Sequence, residues 1–198
     1  QKFCPSARAK NRRKKKKIFS QSYSERLKNI LTFPVPAPFD VVYRNSYTDS
    51  PVGPHSHDAV ELYFTLSDLP DVLLNDTVSA VPAGTLIIIP PFCVHQLYHE
   101  AGTVYERYIL SINSGWLDAV FRDSKATFSY FRQSTAPLLL SPDSAGKKGL
   151  LHHLQTLWAL SDSTSPKALA NLFLFLSELN ETVNRLELVL SEFQSLGH

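Results

Sequence analysis

Between Phe39 and Ile112 short apolar runs alternate with turn signals, and no other feature restricts the fold of this chain so closely. Val41-Val42-Tyr43-Arg44 and the runs 60–66, 71–74, 85–89 and 105–112 are rich in β-branched and aromatic residues. Asp49-Ser50-Pro51, Gly53-Pro54, Asn75-Asp76, Pro82-Ala83-Gly84, Pro90-Pro91 and Ala101-Gly102 separate them. Many short strands at close spacing predict an antiparallel sandwich or barrel rather than βαβ units. None of these runs approaches the roughly 18–20 apolar residues that a membrane-spanning helix needs. The 43% of hydrophobic residues is enough for a buried core.

Past Asn113 the texture becomes helical. Residues 114–121 have a helical start with Ser114 as a cap, residues 147–160 form a second helix, and residues 166–196 a long third. Pro166 after Ser165 is a helix-start signal. In the last segment Leu169, Leu172, Leu176, Leu179, Val183, Leu186, Leu190 and Phe193 recur at spacings of three and four. That stripe is sustained over more than three heptads. Asn180 marks a place where it could divide into two helices. Residues 23–31, ahead of Pro34, Pro36 and Pro38, suit a short amphipathic turn or helix.

The formal net charge of +2 hides an asymmetry. Residues 1–17 carry nine of the 20 Lys and Arg and no acid, leaving 11 basic against 18 acidic residues in the remainder. The body is therefore acidic and lacks the basic face of a nucleic-acid binder. The run 10–17 is read as a solvated, self-repelling arm in preference to a phosphate-binding one. The expected organisation is a basic arm over 1–17, a β-barrel over 18–113 and a helical, dimerising region over 114–198. The two cysteines, Cys4 and Cys93, form no disulfide framework, and no secretory signal opens the chain, which predicts a cytoplasmic protein without membrane association. The sequence contains no Met and is expected to be processed or a fragment.

One constellation carries chemistry. His55-Ser56-His57 precedes Glu61, giving His-x-His-x-x-x-Glu at the start of an expected strand, where alternate residues share a face. His95 follows behind the run 84–94. Three imidazoles and a carboxylate match a divalent transition-metal site for Zn, Ni, Fe or Mn, with positions left for a ligand. Tyr63, Phe92 and Tyr98 are candidates for the wall of a ligand cavity, with ordinary core as the alternative. His99, His152 and His153 are read as surface, and Cys93 as a small buried hydrophobe. Trp116 and Trp158 suit helix-to-barrel packing. No Gly-x-Ser-x-Gly and no phosphate-cradling glycine loop is present.

His55-x-His57-x-x-x-Glu61 resembles the first cupin motif. Gly84-x5-Pro90-x4-His95 resembles the second, with Phe92 where cupins usually have glycine. The resemblance implies a mainly β fold, a cupin-type double-stranded β-helix barrel followed by C-terminal α-helices. In finer detail, Glu61-Leu62-Tyr63, the stretch 84–91 and Tyr105-Glu106-Arg107-Tyr108 resemble the N-terminal sensor domain of AraC-type bacterial transcriptional regulators over about residues 39–195. That resemblance implies a small-molecule effector (a sugar or related metabolite) bound around His55, His57, Glu61, Tyr63, Phe92 and His95. It also implies a homodimer through residues 166–196. DNA contact would then come only through helix-turn-helix units absent from this chain. In such sensors the pocket commonly works without metal, so metal at His55, His57, Glu61 and His95 stays open. The alternative is a small metal-dependent cupin enzyme (an oxygenase, isomerase or decarboxylase) using the same four residues. The displaced glycines and the long heptad helix favour the sensor, with no catalytic residue.

Overall fold

The computed structural model describes residues 31–32, 35–36, 38–45, 52–98, 102–122, 136–160 and 162–195, with backbone alone for 31–32 and 186–195. The basic arm, His99 and the expected helical stretch 23–30 lie outside these residues. Leu31, the last residue of that stretch, begins a strand instead.

Among the described residues ten strands form two five-stranded sheets. They are β1 (Leu31–Thr32), β2 (Phe39–Asn45), β3 (His55–Ser56), β4 (Ala59–Thr65), β5 (Leu69–Leu74), β6 (Thr77–Val81), β7 (Leu86–Ile89), β8 (His95–Leu97), β9 (Glu106–Asn113) and β10 (Leu138–Leu140). One sheet runs β1-β3-β8-β5-β6 and the other β10-β7-β4-β9-β2. Among the described residues the helices are α1 (Ser114–Val120), α2 (Ser144–Ala159) and α3 (Pro166–Ser195). The chain is a cupin-type barrel with C-terminal helices.

Both faces of the second sheet are covered, which is why its strands read as near-continuous apolar runs. In β4 every residue is buried. Val60, Leu62 and Phe64 pack outward with Leu110 and Ile112 against Leu154, Leu157 and Phe175 of the helices. Tyr63 turns inward to join Ile87, Ile89, Ile109, Leu97 and Tyr105 in the barrel interior. Thr65 ties the end of β4 to the following turn, donating to the Pro82 carbonyl at 2.8 Å and accepting from the Thr85 amide at 2.9 Å. Gly84 in that turn has φ +74°, a left-handed conformation that glycine adopts without strain.

The helix starts differ from expectation. Asn113, not Ser114, caps α1 by accepting from the Trp116 amide at 3.0 Å. Asp143 caps α2 through the Gly146 amide at 2.7 Å, so the helix begins at Ser144 rather than Lys147. Helix α3 runs unbroken past Asn180. The region after Asn113 is also not purely helical, because β10 returns to the barrel and pairs antiparallel with β7. Trp158 reaches from α2 to Tyr43 and Tyr108, with ring centroids 6.0 and 6.3 Å away, as its helix-to-barrel role requires. Trp116 packs on Phe173 of α3 instead, at 6.3 Å. Of the histidine pair read as surface, His152 is exposed, whereas His153 is half-buried with its Nδ1 fully covered.

Candidate functional site

The short strands β3 and β8 pair antiparallel with His55 opposite His95, which brings the two motifs together across a gap of 40 residues in sequence. The ligand-capable atoms of His55, His57 and His95 all lie within 4.8 Å of one another. Glu61 on β4 closes the group. Its Oε2 accepts from His57 Nε2 at 3.2 Å and lies 2.8 Å from His95 Nε2, while Oε1 accepts from the Ser111 hydroxyl at 3.2 Å. His57, Glu61 and His95 are buried and His55 is half-buried.

Backbone carbonyls set two of the tautomers. His95 Nδ1–H donates to the Cys93 carbonyl and His55 Nδ1–H to the Gly53 carbonyl, each at 3.0 Å. A carbonyl can only accept, so both Nδ1 atoms carry a proton; in the neutral His55 ring Nε2 then keeps its lone pair, whereas His95 Nε2 faces Glu61 Oε2 and donates to it when that ring is charged. This is the outer support that metal-ligating histidines usually have. His57 Nδ1 is buried with no hydrogen-bond partner. The donor set and the orphaned nitrogen fit a first-row divalent metal, to which the three imidazoles would be the ligands and Glu61 a fourth or a partner of His57. When bound, such a metal supplies a Lewis-acidic point for an effector's oxygen.

Charge within the cluster follows from the same contacts. Burial alone would raise the Glu61 carboxyl, but hydrogen bonding from His57 and His95 reverses that and holds it well below the usual carboxylate range. For His95, burial opposes the charged ring, yet the hydrogen bond and charge of Glu61 outweigh it and raise its pKa. His55 is lowered by burial and then by the neighbouring His95. Glu61 is thus anionic.

Tyr63 stands in the barrel interior with its ring 6.3 Å from that of His95, edge to face. Phe92 is a correction. It has φ +60° and is 65% exposed, so its side chain stands in solvent rather than in the barrel wall. It follows Pro90-Pro91 in a turn closed by the Cys93 amide on the Pro90 carbonyl at 3.2 Å, and this third turn position favours glycine. The departure from the cupin glycine is therefore a matter of backbone conformation. Sequence reasoning missed Ser111 on β9, which bonds Glu61. That strand is apolar on both faces, and alternation alone could not say which residues face inward.

Cys93 behaves as a buried hydrophobe. It is 4% exposed, and burial pushes its thiol up to about 11. In a Cys4→Ser background, Cys93 should resist alkylation at pH 8 until the protein unfolds, because almost no thiolate is present. Native labelling at the rate of an exposed thiol would contradict this.

The AraC-like ligand binding domain matches residues 40–189. The chain belongs to that family. Among solved structures, apo ToxT K231A from Vibrio cholerae is similar at 10% identity and a TM-score of 0.52. The match covers 77% of this AraC-like chain and 58% of that one, and it supports the fold alone. Wild-type ToxT with unsaturated fatty acid bound matches at 10% identity and a TM-score of 0.49, over 77% of this chain and 57% of that one. A Cupin 2 conserved barrel domain protein from Salinispora arenicola matches at 20% identity and a TM-score of 0.35, over 44% of this chain and 76% of that one. A search of the curated proteins finds no match. As a member of the AraC-like family, the chain is a ligand-sensing regulatory domain on a cupin-type barrel. No helix among the described residues is long and apolar enough to cross a membrane.

Proposed function

We propose that the chain is the effector-binding and dimerising part of a longer cytoplasmic transcription regulator. Its barrel holds a small polar metabolite, of the sugar or related type, against His55, His57, Glu61 and His95. The observation that carries this reading is the convergence of those four side chains inside an AraC-like barrel. Buried polar groups need partners, and this cluster keeps an orphaned His57 Nδ1. A divalent Zn, Ni, Fe or Mn ion held by the same residues is part of the proposal, as are DNA-binding units beyond this chain. The family match supports a regulator over a metal-dependent enzyme.

Elemental analysis of protein grown with divalent metals tests the cluster. Near-stoichiometric metal is expected, and His57→Ala should lower it, since the remaining two-histidine, one-carboxylate set has lost one imidazole donor. Protein without metal and without uptake on titration would remove the metal and leave an organic pocket. The encoding reading frame tests the regulator: continuation into two helix-turn-helix units is expected.

A further inference from the structure

Ser111 is a hydroxyl set in an otherwise apolar stretch of β9, where Tyr108, Ile109, Leu110 and Ile112 are buried. Two carboxylates stand opposite it, Glu61 on β4 and Asp40 on β2. Residues directly opposite in an antiparallel pair share a face, and a serine hydroxyl has one proton to donate. That proton goes to Glu61, whose Oε1 accepts it at 3.2 Å. The choice follows burial. Asp40 is exposed and keeps its water, whereas Glu61 is buried and needs a protein donor. The other residue opposite Glu61 is Ile89 on β7, whose side chain has no donor.

What the bond fixes is an orientation. The last torsion of a glutamate side chain has broad wells, so the carboxylate turns easily unless its oxygens are held. Ser111 holds Oε1 on the β9 side. Oε2 is left toward the imidazoles, 3.2 Å from His57 Nε2 and 2.8 Å from His95 Nε2. One oxygen is committed to the strand and the other to the cluster.

We propose that Ser111 is a positioning residue for the metal centre: its hydroxyl makes Glu61 a one-oxygen donor to a divalent ion held by the histidines. The inference rests on the reading of the cluster as a metal site, and it adds the residue that sets how the carboxylate takes part. Three imidazoles and one carboxylate oxygen form a small donor set of the kind that suits a first-row transition ion. Such a set disfavours calcium, which takes a larger shell of oxygens. The hydroxyl supports Glu61 as the Gly53 and Cys93 carbonyls support His55 and His95.

The test is titration of Zn²⁺ and Co²⁺ into the metal-free full chain, with the visible spectrum of the Co²⁺ form reporting ligand type and geometry. Ser111→Ala should weaken affinity by about 10–100-fold, the usual effect of removing an outer partner. It should also change the Co²⁺ spectrum, because both carboxylate oxygens can then turn toward the ion. Ser111→Thr keeps the hydroxyl and should preserve affinity and spectrum alike. Unchanged affinity and spectrum in Ser111→Ala, whatever its metal-free Tm, would make Ser111 a merely structural residue; that overturns the role and leaves the metal reading standing. A loss in Ser111→Thr equal to that in Ser111→Ala would lay the effect on shape and overturn it too. So would a gain of affinity in Ser111→Ala, which would mean that the hydroxyl holds Glu61 back. If Ser111→Ala does not fold, Ser111→Cys, with only a weak donor, is read in the same way. An unaltered chain that takes up neither ion would overturn the metal reading, and this role with it.

Discussion

Replacing Phe175 with alanine should lower the free energy of unfolding by about 3–5 kcal/mol, the usual cost of removing a fully buried aromatic ring. Phe175 is wholly buried in the layer between the second sheet and the helices, with Leu150, Leu154 and Leu157 of α2 and Leu62 and Leu110 of the barrel in the same cluster. The ring lies among residues of α2 and the barrel, and α3 cannot collapse into the space without dragging Leu172, Leu176 and Leu179 off their own seats. Denaturant titration checks this through a shift of midpoint at unchanged slope. A loss under about 1 kcal/mol would mean that the helical layer is loosely docked. Phe173, two residues away and 41% exposed, is the control and should cost far less.

The second large effect concerns assembly. Leu172, Leu176, Leu179 and Val183 of the heptad stripe are buried within the single chain. Helix α2 has 16 residues and α3 has 30, so at 1.5 Å per residue α3 extends well past its neighbour. The stripe continues through Leu186, Leu190 and Phe193. Burying each leucine gains roughly 1.5–3 kcal/mol, which a second copy related by a twofold axis would supply. Leu186→Asp together with Leu190→Asp should therefore convert dimers to monomers while the barrel stays folded, as read by sedimentation and circular dichroism. An unaltered chain already monomeric at tens of micromolar would end the dimer proposal.

Much of this architecture was legible in the residues because both faces of the second sheet are covered. The run 60–66 could hardly be anything but a buried strand. The first sheet was harder. Strands β3 and β8 are only two and three residues long, His-Ser and His-Gln-Leu, and carry no periodicity of their own. The motif spacing pointed to them where propensity could not. Strand β10 is three leucines that read equally well as the approach to a helix. The cap at Asp143 lay a turn ahead of the apolar run that signals α2. Among site residues, the histidines and Glu61 stand out as a pattern. Ser111 hides within the apolar run of β9, and only its register opposite Glu61 shows that it faces inward. Phe92 failed for a local reason: a positive φ turns an apolar residue outward where sequence alone suggests a wall.

Asn113 is both the last residue of β9 and the cap of α1, and its side-chain amide also donates to the Val35 carbonyl at 3.2 Å. No loop separates the strand that carries Arg107 and Ser111 from the first helix behind the barrel. A hinge of even a few residues would let the strand twist while the helix stayed still. Here there is no slack: a rotation of β9 about its own axis is delivered to α1 as a rotation of the same sense. Any occupant that re-seats the inner face of β9 therefore moves a lever on the outside of the molecule.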